Sequence, residues 1–190
     1  MTAPVCHSFS THIWAAERSC CVQPDAVTWS EPGGARGRIE FSQLRRVQLR
    51  NPPGMGVASI GLLDLYPAHG PRLRVSSVHF RGFGQLEDRA ASYRDFALAL
   101  HAALVPHAAS IRFRAGSTLT GQVALVFVMA VWTLLMLFGI AVLFSGTLEG
   151  WLALTLLPLV PPGLLIWRHM RRHWPRRYLP AVVPLDLLPG

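Results

Sequence analysis

The sequence predicts an α+β protein in which a small antiparallel β-barrel or sheet, closed by one helix, precedes a two-helix transmembrane hairpin. Three observations predict it: short segments with strand periodicity, a later change to helical spacing, and two long uncharged runs near the C-terminus. Hydrophobic residues make up 51% of the 190 residues and charged residues only 15%, yet the net charge is +8 and no basic residue is a lysine. We expect the apolar and basic properties to lie in different segments. The composition excludes a disordered chain, and three cysteines are too few for a disulfide scaffold.

The first uncharged run covers the 22 residues from Val123 to Phe144. As a helix it would be about 33 Å long, enough to cross a bilayer core of about 30 Å. A fully buried helix in a soluble core is the alternative, but so short a chain can hardly surround one. We therefore expect a first transmembrane helix at about 121–145.

The second uncharged run covers the 17 residues from Trp151 to Trp167, close to the lower limit for a membrane helix. It contains three prolines, which kink helices but are tolerated where neighbouring helices satisfy the freed carbonyls. We expect a shorter, kinked second span at about 150–168, and a re-entrant or interfacial segment is the alternative. The predicted hairpin covers 119–168.

The arginines predict the orientation of this hairpin. Arg112 and Arg114 precede it and five arginines follow it, whereas the loop between the spans has no arginine and one acid, Glu149. By the positive-inside rule, both termini are expected in the cytoplasm. No apolar signal-peptide region occurs in the first 30 residues, so no cleaved signal is expected. In a reducing cytoplasm, Cys6, Cys20 and Cys21 are expected to be free thiols.

Residues 1–108 are predicted to form the cytoplasmic domain, followed by a juxtamembrane linker at 109–118. Period-two segments predict strands at about 9–16, 20–29, 38–41, 46–50, 57–66 and 72–80. From about Leu86 to Pro106 the period becomes helical, and one apolar stripe contains Tyr93, Phe96, Ala97, Leu100 and Leu104. Glu87 and Asp88 are expected in the first turn of this helix.

This order of short strands and one helix resembles the bacterial membrane-associated pleckstrin-homology-like (PH-like) proteins. The likeness rests on the strand 27–29, the strand–bend–strand block 39–49 and the start of the closing helix at 93–96. The two spans and the tail 169–190 are similar to those of a family of bacterial inner-membrane proteins of the same layout. The resemblance implies a multi-pass protein of the bacterial inner membrane, and it implies no catalytic residues.

Arginines crowd the region of the predicted third and fourth strands, and others follow the second span. Such clusters attract anionic lipid at about 1 kcal/mol per residue near a membrane surface. A solvated basic face without a specific ligand is the alternative. The predicted lipid or partner contacts are Arg36, Arg38, Arg45, Arg46, Arg50, Arg171, Arg172, Arg176 and Arg177. No helix or aromatic-basic platform suited to nucleic acid is evident, so no nucleic-acid partner is expected.

The sequence has no recognisable enzyme motif, metal site or cofactor site. His169 and His173 have the spacing of metal ligands, but arginines surround them and disfavour a cation. Neither uncharged run contains a histidine for a haem or an ionisable residue for a transport path. We therefore expect no metal, no cofactor, no small-molecule substrate and no catalytic activity.

The tail combines prolines with apolar residues, so it is expected to be extended and to lie on the membrane, on its own domain or on another subunit. Two functions follow from the topology. The first is a non-enzymatic, membrane-anchored interaction or scaffold module that acts at the cytoplasmic face through its PH-like domain. The second is an accessory subunit of a large integral membrane complex, such as a respiratory or photosynthetic one, contacted mainly through the hairpin. Membrane lipids and another membrane or cytoplasmic protein are the expected partners.

Overall fold

The computed structural model describes residues 4–12, 14–52, 60–82, 85–144, 167–168, 171 and 174–189. The chain divides into two compact units, one formed by Met1–Gly116 with Arg176–Gly190 and the other by Ser117–Pro175. The first unit contains the sheets and one helix, and the second contains a long apolar helix. The predicted α+β class is confirmed. The expected barrel is not found in the part of the chain that the structure describes, where the strands form separate open sheets.

The first sheet is a four-stranded antiparallel meander of β1 (Val5–Phe9), β2 (Arg18–Val22), β3 (Ala26–Ser30) and β4 (Arg36–Glu40). Alternate side chains point into the core, as the pleat requires. This sheet contributes Phe9, Cys20, Val22, Val27 and Ile39 to the hydrophobic core.

A second meander follows, with β5 (Leu44–Arg50), β6 (Leu62–Pro67) and β7 (Leu73–Ser76) paired antiparallel. It contributes buried residues such as Val47, Leu63 and Val75 to the core. A separate hairpin, β8 (Val78–Gly82) with β9 (Gln85–Asp88), leads to the helix α1 (Ala90–Leu104).

Helix α1 packs its predicted apolar stripe into the core, because Tyr93, Phe96, Ala97, Leu100 and Leu104 are all fully buried. The stripe is therefore confirmed. The predicted start was wrong: Glu87 and Asp88 lie in β9 rather than in the first helical turn. Glu87 instead forms ion pairs with Arg81 and Arg89, which stabilise the hairpin.

Two predicted strands are each divided into two strands. The segment 20–29 becomes β2 and β3, because Gln23 N–H donates to the carbonyl of Ala26 and closes a turn through Pro24. The segment 72–80 becomes β7 and β8, which belong to different sheets. The first strand lies earlier than predicted, at β1, and part of the predicted strand 57–66 lies outside the described residues.

The predicted linker at 109–118 contains a strand, β10 (Arg112–Ala115), which pairs parallel with β5. A parallel neighbour requires a crossover connection, and α1 lies within it. The tail contains a short strand, β11 (Arg176–Arg177), which pairs antiparallel with β10. The second sheet therefore has the order β11-β10-β5-β6-β7.

The C-terminal tail docks on its own domain, one of the alternatives that its sequence left open. Leu187 and Leu188 belong to the hydrophobic core. Tyr178 packs against Phe113, and its hydroxyl donates to Nε2 of His101 at 2.6 Å. The other ring nitrogen of His101 donates to the carbonyl of Ala97 at 2.6 Å, so both nitrogens are satisfied. Burial lowers the pKa of His101 below 6.5, so the ring is neutral at pH 7.

Acidification is expected to destabilise the first unit through two buried histidines. Desolvation lowers the pKa of His7 and of His101 below the ordinary value of 6.5, so the unfolded chain binds more protons than the native protein once the pH falls through that value. Stability is complete above about pH 6.5 and decreases below it. A thermal unfolding series between about pH 7.5 and pH 5 measures this. The variant His101→Gln should show a weaker pH dependence, and an unchanged slope in that variant would contradict the role of His101.

Two of the three cysteines that are predicted to be free thiols are bonded to each other in the structure. Cys6 and Cys21 are directly opposite each other on β1 and β2, with Cα atoms 4.1 Å apart, and form a disulfide. Cys20 points to the other face of β2 and is a buried free thiol. Desolvation raises its pKa to about 12, so this thiol is unreactive.

The second unit contains α2 (Leu119–Phe144), a helix without charged residues. Its segment Thr120–Ala141 is long and apolar enough to cross a membrane, with a mean hydropathy of 2.6. Among the described residues this is the one such helix, and it agrees with the first predicted span. The predicted second span at 150–168 lies almost entirely outside the described residues.

Candidate functional site

The candidate site is the outer surface of the second sheet, which we call the arginine face. Strand alternation produces it: Val47 and Leu49 of β5 point into the core, so Arg46 and Arg50 point away from it. The remaining strands follow the same rule. The arginine face contains six arginines, namely Arg46, Arg50, Arg74, Arg112, Arg114 and Arg177.

The strand register places like charges beside each other on this face. Arg112 of β10 is opposite Arg46 of β5, and Arg114 of β10 is opposite Arg177 of β11. Cross-strand neighbours of the same charge destabilise a sheet. The arrangement therefore favours an anion that neutralises these guanidinium groups.

Asp64 is the carboxylate that the register places on the arginine face, and it is fully buried. It forms ion pairs with Arg50 and with Arg74, the latter at 2.8 Å. The carboxylate therefore neutralises arginines only at the end of the face that β6 and β7 form. No ion pair joins Arg112, Arg114 or Arg177 to a carboxylate of the described residues.

An open cleft of about 390 Å³ lies at the other end of the face, which we call the arginine cleft. No acid lines it; its lining residues are Arg45, Arg46, Tyr66, Ser110, Arg112 and Arg114. The guanidinium of Arg46 stacks on the ring of Tyr66, 3.8 Å from the centroid, which fixes its plane. Its Nε is buried and has no hydrogen-bond partner in the described part of the chain.

The structure brings together only some of the predicted contact residues. Arg45, Arg46 and Arg177 lie in the arginine cleft or on the arginine face, and Arg50 binds Asp64. Arg36 and Arg38 lie on β4 in the other sheet, where Arg38 binds Gln23 and Asp25. The continuous arginine-rich stretch 36–50 is thus divided between two surfaces.

The arginines after the second predicted span also separate. Arg176 binds both carboxylate oxygens of Asp186 at 2.6 Å within the docked tail. Arg171 is exposed, whereas Arg172 and both histidines considered as metal ligands lie outside the described residues.

Sequence reasoning did not assign Arg112, Arg114, Tyr66 and Ser110 to the site. A usable signal was present, because Arg112–Ala115 alternates basic and apolar residues like a strand. From the sequence, Arg112 and Arg114 contribute only to the predicted orientation of the hairpin. Their pairing with β5 could not be read locally, since it joins residues more than 60 positions apart.

Arginine keeps its charge at every physiological pH, so the arginines of this face can bind anions whatever the pH. Fold and site together define an α+β domain with an anion-attracting sheet face, and an inserted segment whose helix could span a membrane. No protein-family model, curated protein or solved structure matches the chain.

Proposed function

We propose that this chain is a non-enzymatic, membrane-anchored interaction module whose first unit is held against an anionic membrane surface by its arginine face. The observation that carries the proposal is the pairing of β10 with β11. It places Ala115, where the chain leaves the first unit, directly opposite Arg176, where the chain returns.

This pairing bears on membrane topology, since neighbouring residues of one sheet lie on the same side of a membrane. A chain that leaves at Ala115 and returns at Arg176 crosses the membrane an even number of times or not at all. With α2 as one crossing, the even number supports the proposed two-span hairpin.

The connection to α2 keeps the arginine face close to the bilayer. Ala115 is five residues from Thr120, where the candidate span begins, so at most about 18 Å of extended chain separates them. Arg112, Arg114 and Arg177 lie on the strands that enter and leave this point. Six arginines against one aspartate, 6 − 1, give the face a net charge of +5. Each basic residue near an anionic surface contributes about 1 kcal/mol.

The element order also supports the proposed membership of the PH-like class. Short strands followed by one closing helix, the order on which the resemblance rests, recur in β1–β9 and α1. We propose that this PH-like domain acts at the cytoplasmic face of the bacterial inner membrane.

Replacing two arginines of the face should weaken the binding of anionic lipid. For Arg112→Gln/Arg114→Gln in the full chain, we expect about 30-fold lower affinity for short-chain phosphatidylglycerol, since two contributions of about 1 kcal/mol are lost. Native mass spectrometry in detergent measures the affinity, with phosphatidylcholine of the same chain length as reference. Added salt should weaken the wild-type preference.

The matched control is Arg36→Gln/Arg94→Gln, which removes the same charge from two exposed positions away from the arginine face. It should retain nearly the wild-type affinity. Equal losses in both double variants would mean that net charge, and not this face, determines lipid binding, and the proposal would fail.

The cytoplasmic location makes a prediction about the disulfide. Cytosolic thiols are kept reduced, and Cys6 is exposed to reductant. We therefore expect Cys6 and Cys21 to be a dithiol in growing bacterial cells and a disulfide after purification in air. Acid-quenched alkylation of the full chain, with Cys20→Ala to remove the buried thiol, reports the state. A disulfide already present in untreated cells would place the domain in an oxidising compartment and overturn the proposed orientation.

A further inference from the structure

We infer that the arginine cleft is a binding site for a phosphomonoester group, carried by a lipid headgroup or by free phosphate. The inference deepens the proposed function by naming the chemical group that the arginine cleft binds. It rests on the proposed function where that group is carried by a lipid.

The first argument is the charge within the cleft. Four arginines line it, no acid does, and Arg46 and Arg112 are directly opposite each other in the sheet. The carboxylate of Asp64 binds Arg50 and Arg74, so it does not neutralise the arginines of the cleft. A bound anion would relieve the repulsion and satisfy guanidinium donors that line the cleft.

The second argument is the geometry of the donors. A guanidinium donates two parallel hydrogen bonds to a phosphate or a carboxylate, and this needs a fixed plane. The ring of Tyr66 provides that plane for Arg46. The cleft volume of about 390 Å³ accommodates a phosphate together with part of its carrier.

The choice between anions follows from charge. A carboxylate and a phosphodiester each carry one negative charge, whereas a phosphomonoester carries about 1.5 to 2 at pH 7 and offers three oxygens. Four guanidiniums in one cleft are better neutralised by the doubly charged group. We therefore expect short-chain phosphatidic acid to bind more tightly than phosphatidylglycerol of the same chain length.

The test uses the full chain in detergent at constant ionic strength, titrated with inorganic phosphate, short-chain phosphatidic acid or chloride. Phosphate and phosphatidic acid should raise the thermal unfolding midpoint, and chloride should not. Calorimetry should give a dissociation constant about tenfold higher for Arg112→Gln, the loss of one charge-assisted contact. The dissociation constant of Arg112→Lys should lie between those of the wild type and Arg112→Gln, because lysine keeps the charge but cannot donate two parallel hydrogen bonds.

Arg94→Gln is the control, because Arg94 is exposed on α1 and does not line the cleft. It should bind like the wild type. A chloride effect equal to that of phosphate, or equal losses in Arg94→Gln and Arg112→Gln, would overturn the inference.

The outcomes separate this inference from the proposed function. If the lipid preference requires Arg112 and Arg114 but neither phosphate nor phosphatidic acid binds the cleft, only the phosphomonoester site fails. If phosphate binds through Arg112 but anionic lipids are not preferred, the proposed function fails and the ligand is a soluble phosphate. Binding of phosphatidic acid without inorganic phosphate identifies the lipid as the source.

Discussion

Replacing Asp64 with asparagine is expected to destabilise the first unit by about 3 kcal/mol, the lower end of the cost of breaking a buried ion pair. The Asp64 side chain is fully buried and binds both Arg50 and Arg74. The amide keeps the shape but removes the negative charge, leaving two guanidiniums without a partner. The cost stays at the lower end because both arginines remain partly exposed.

Hydrogen exchange of the α1 backbone amides, read by mass spectrometry on the full chain, measures this change as the free energy of opening. The control is Asp25→Asn, which breaks the exposed pair between Asp25 and Arg38 and should cost less than about 1 kcal/mol. If the two variants lost the same stability, the buried carboxylate would have no special role in holding the arginine face together.

Replacing Leu187 with alanine is expected to cost about 2 to 4 kcal/mol, since it leaves a cavity where the tail enters the core. Leu187 is 1% exposed and belongs to the core of the first unit. The tail also contains β11, so its release should expose the edge of β10 and increase exchange at 112–115.

Leu185→Ala provides the comparison within the same 3-10 turn. Leu185 is 57% exposed, so its truncation should change stability by less than about 0.5 kcal/mol. Exchange at 112–115 that is unaffected by Leu187→Ala would show that the tail does not hold β11 in place.

The features with a local signal were predictable. The stripe of α1 and the uncharged run of α2 can each be recognised from spacing within one segment, and both are where the sequence placed them. The start of α1 was not, because Glu87 also suits a hairpin strand that Arg81 and Arg89 stabilise through ion pairs.

The arginine face shows why the rest of the site was not predictable. Arg46 is one of the predicted contact residues, but its neighbour Arg112 comes from a strand far along the chain. Arg38, close to Arg46 in sequence, lies in another sheet. The disulfide was not predictable for the same reason, because the two cysteines meet only when β1 and β2 pair in one register.

Composition, periodicity and charge asymmetry were sufficient to establish an α+β domain, a helix that could span a membrane and an excess of arginine outside it. The pairing of β10 with β5 and β11 was decided only in the folded chain. That pairing joins residues separated by an entire helix and by the inserted segment Ser117–Pro175, and its register depends on packing that no local pattern encodes. It determines which arginines share a face, where the tail docks and where the chain leaves and re-enters the domain.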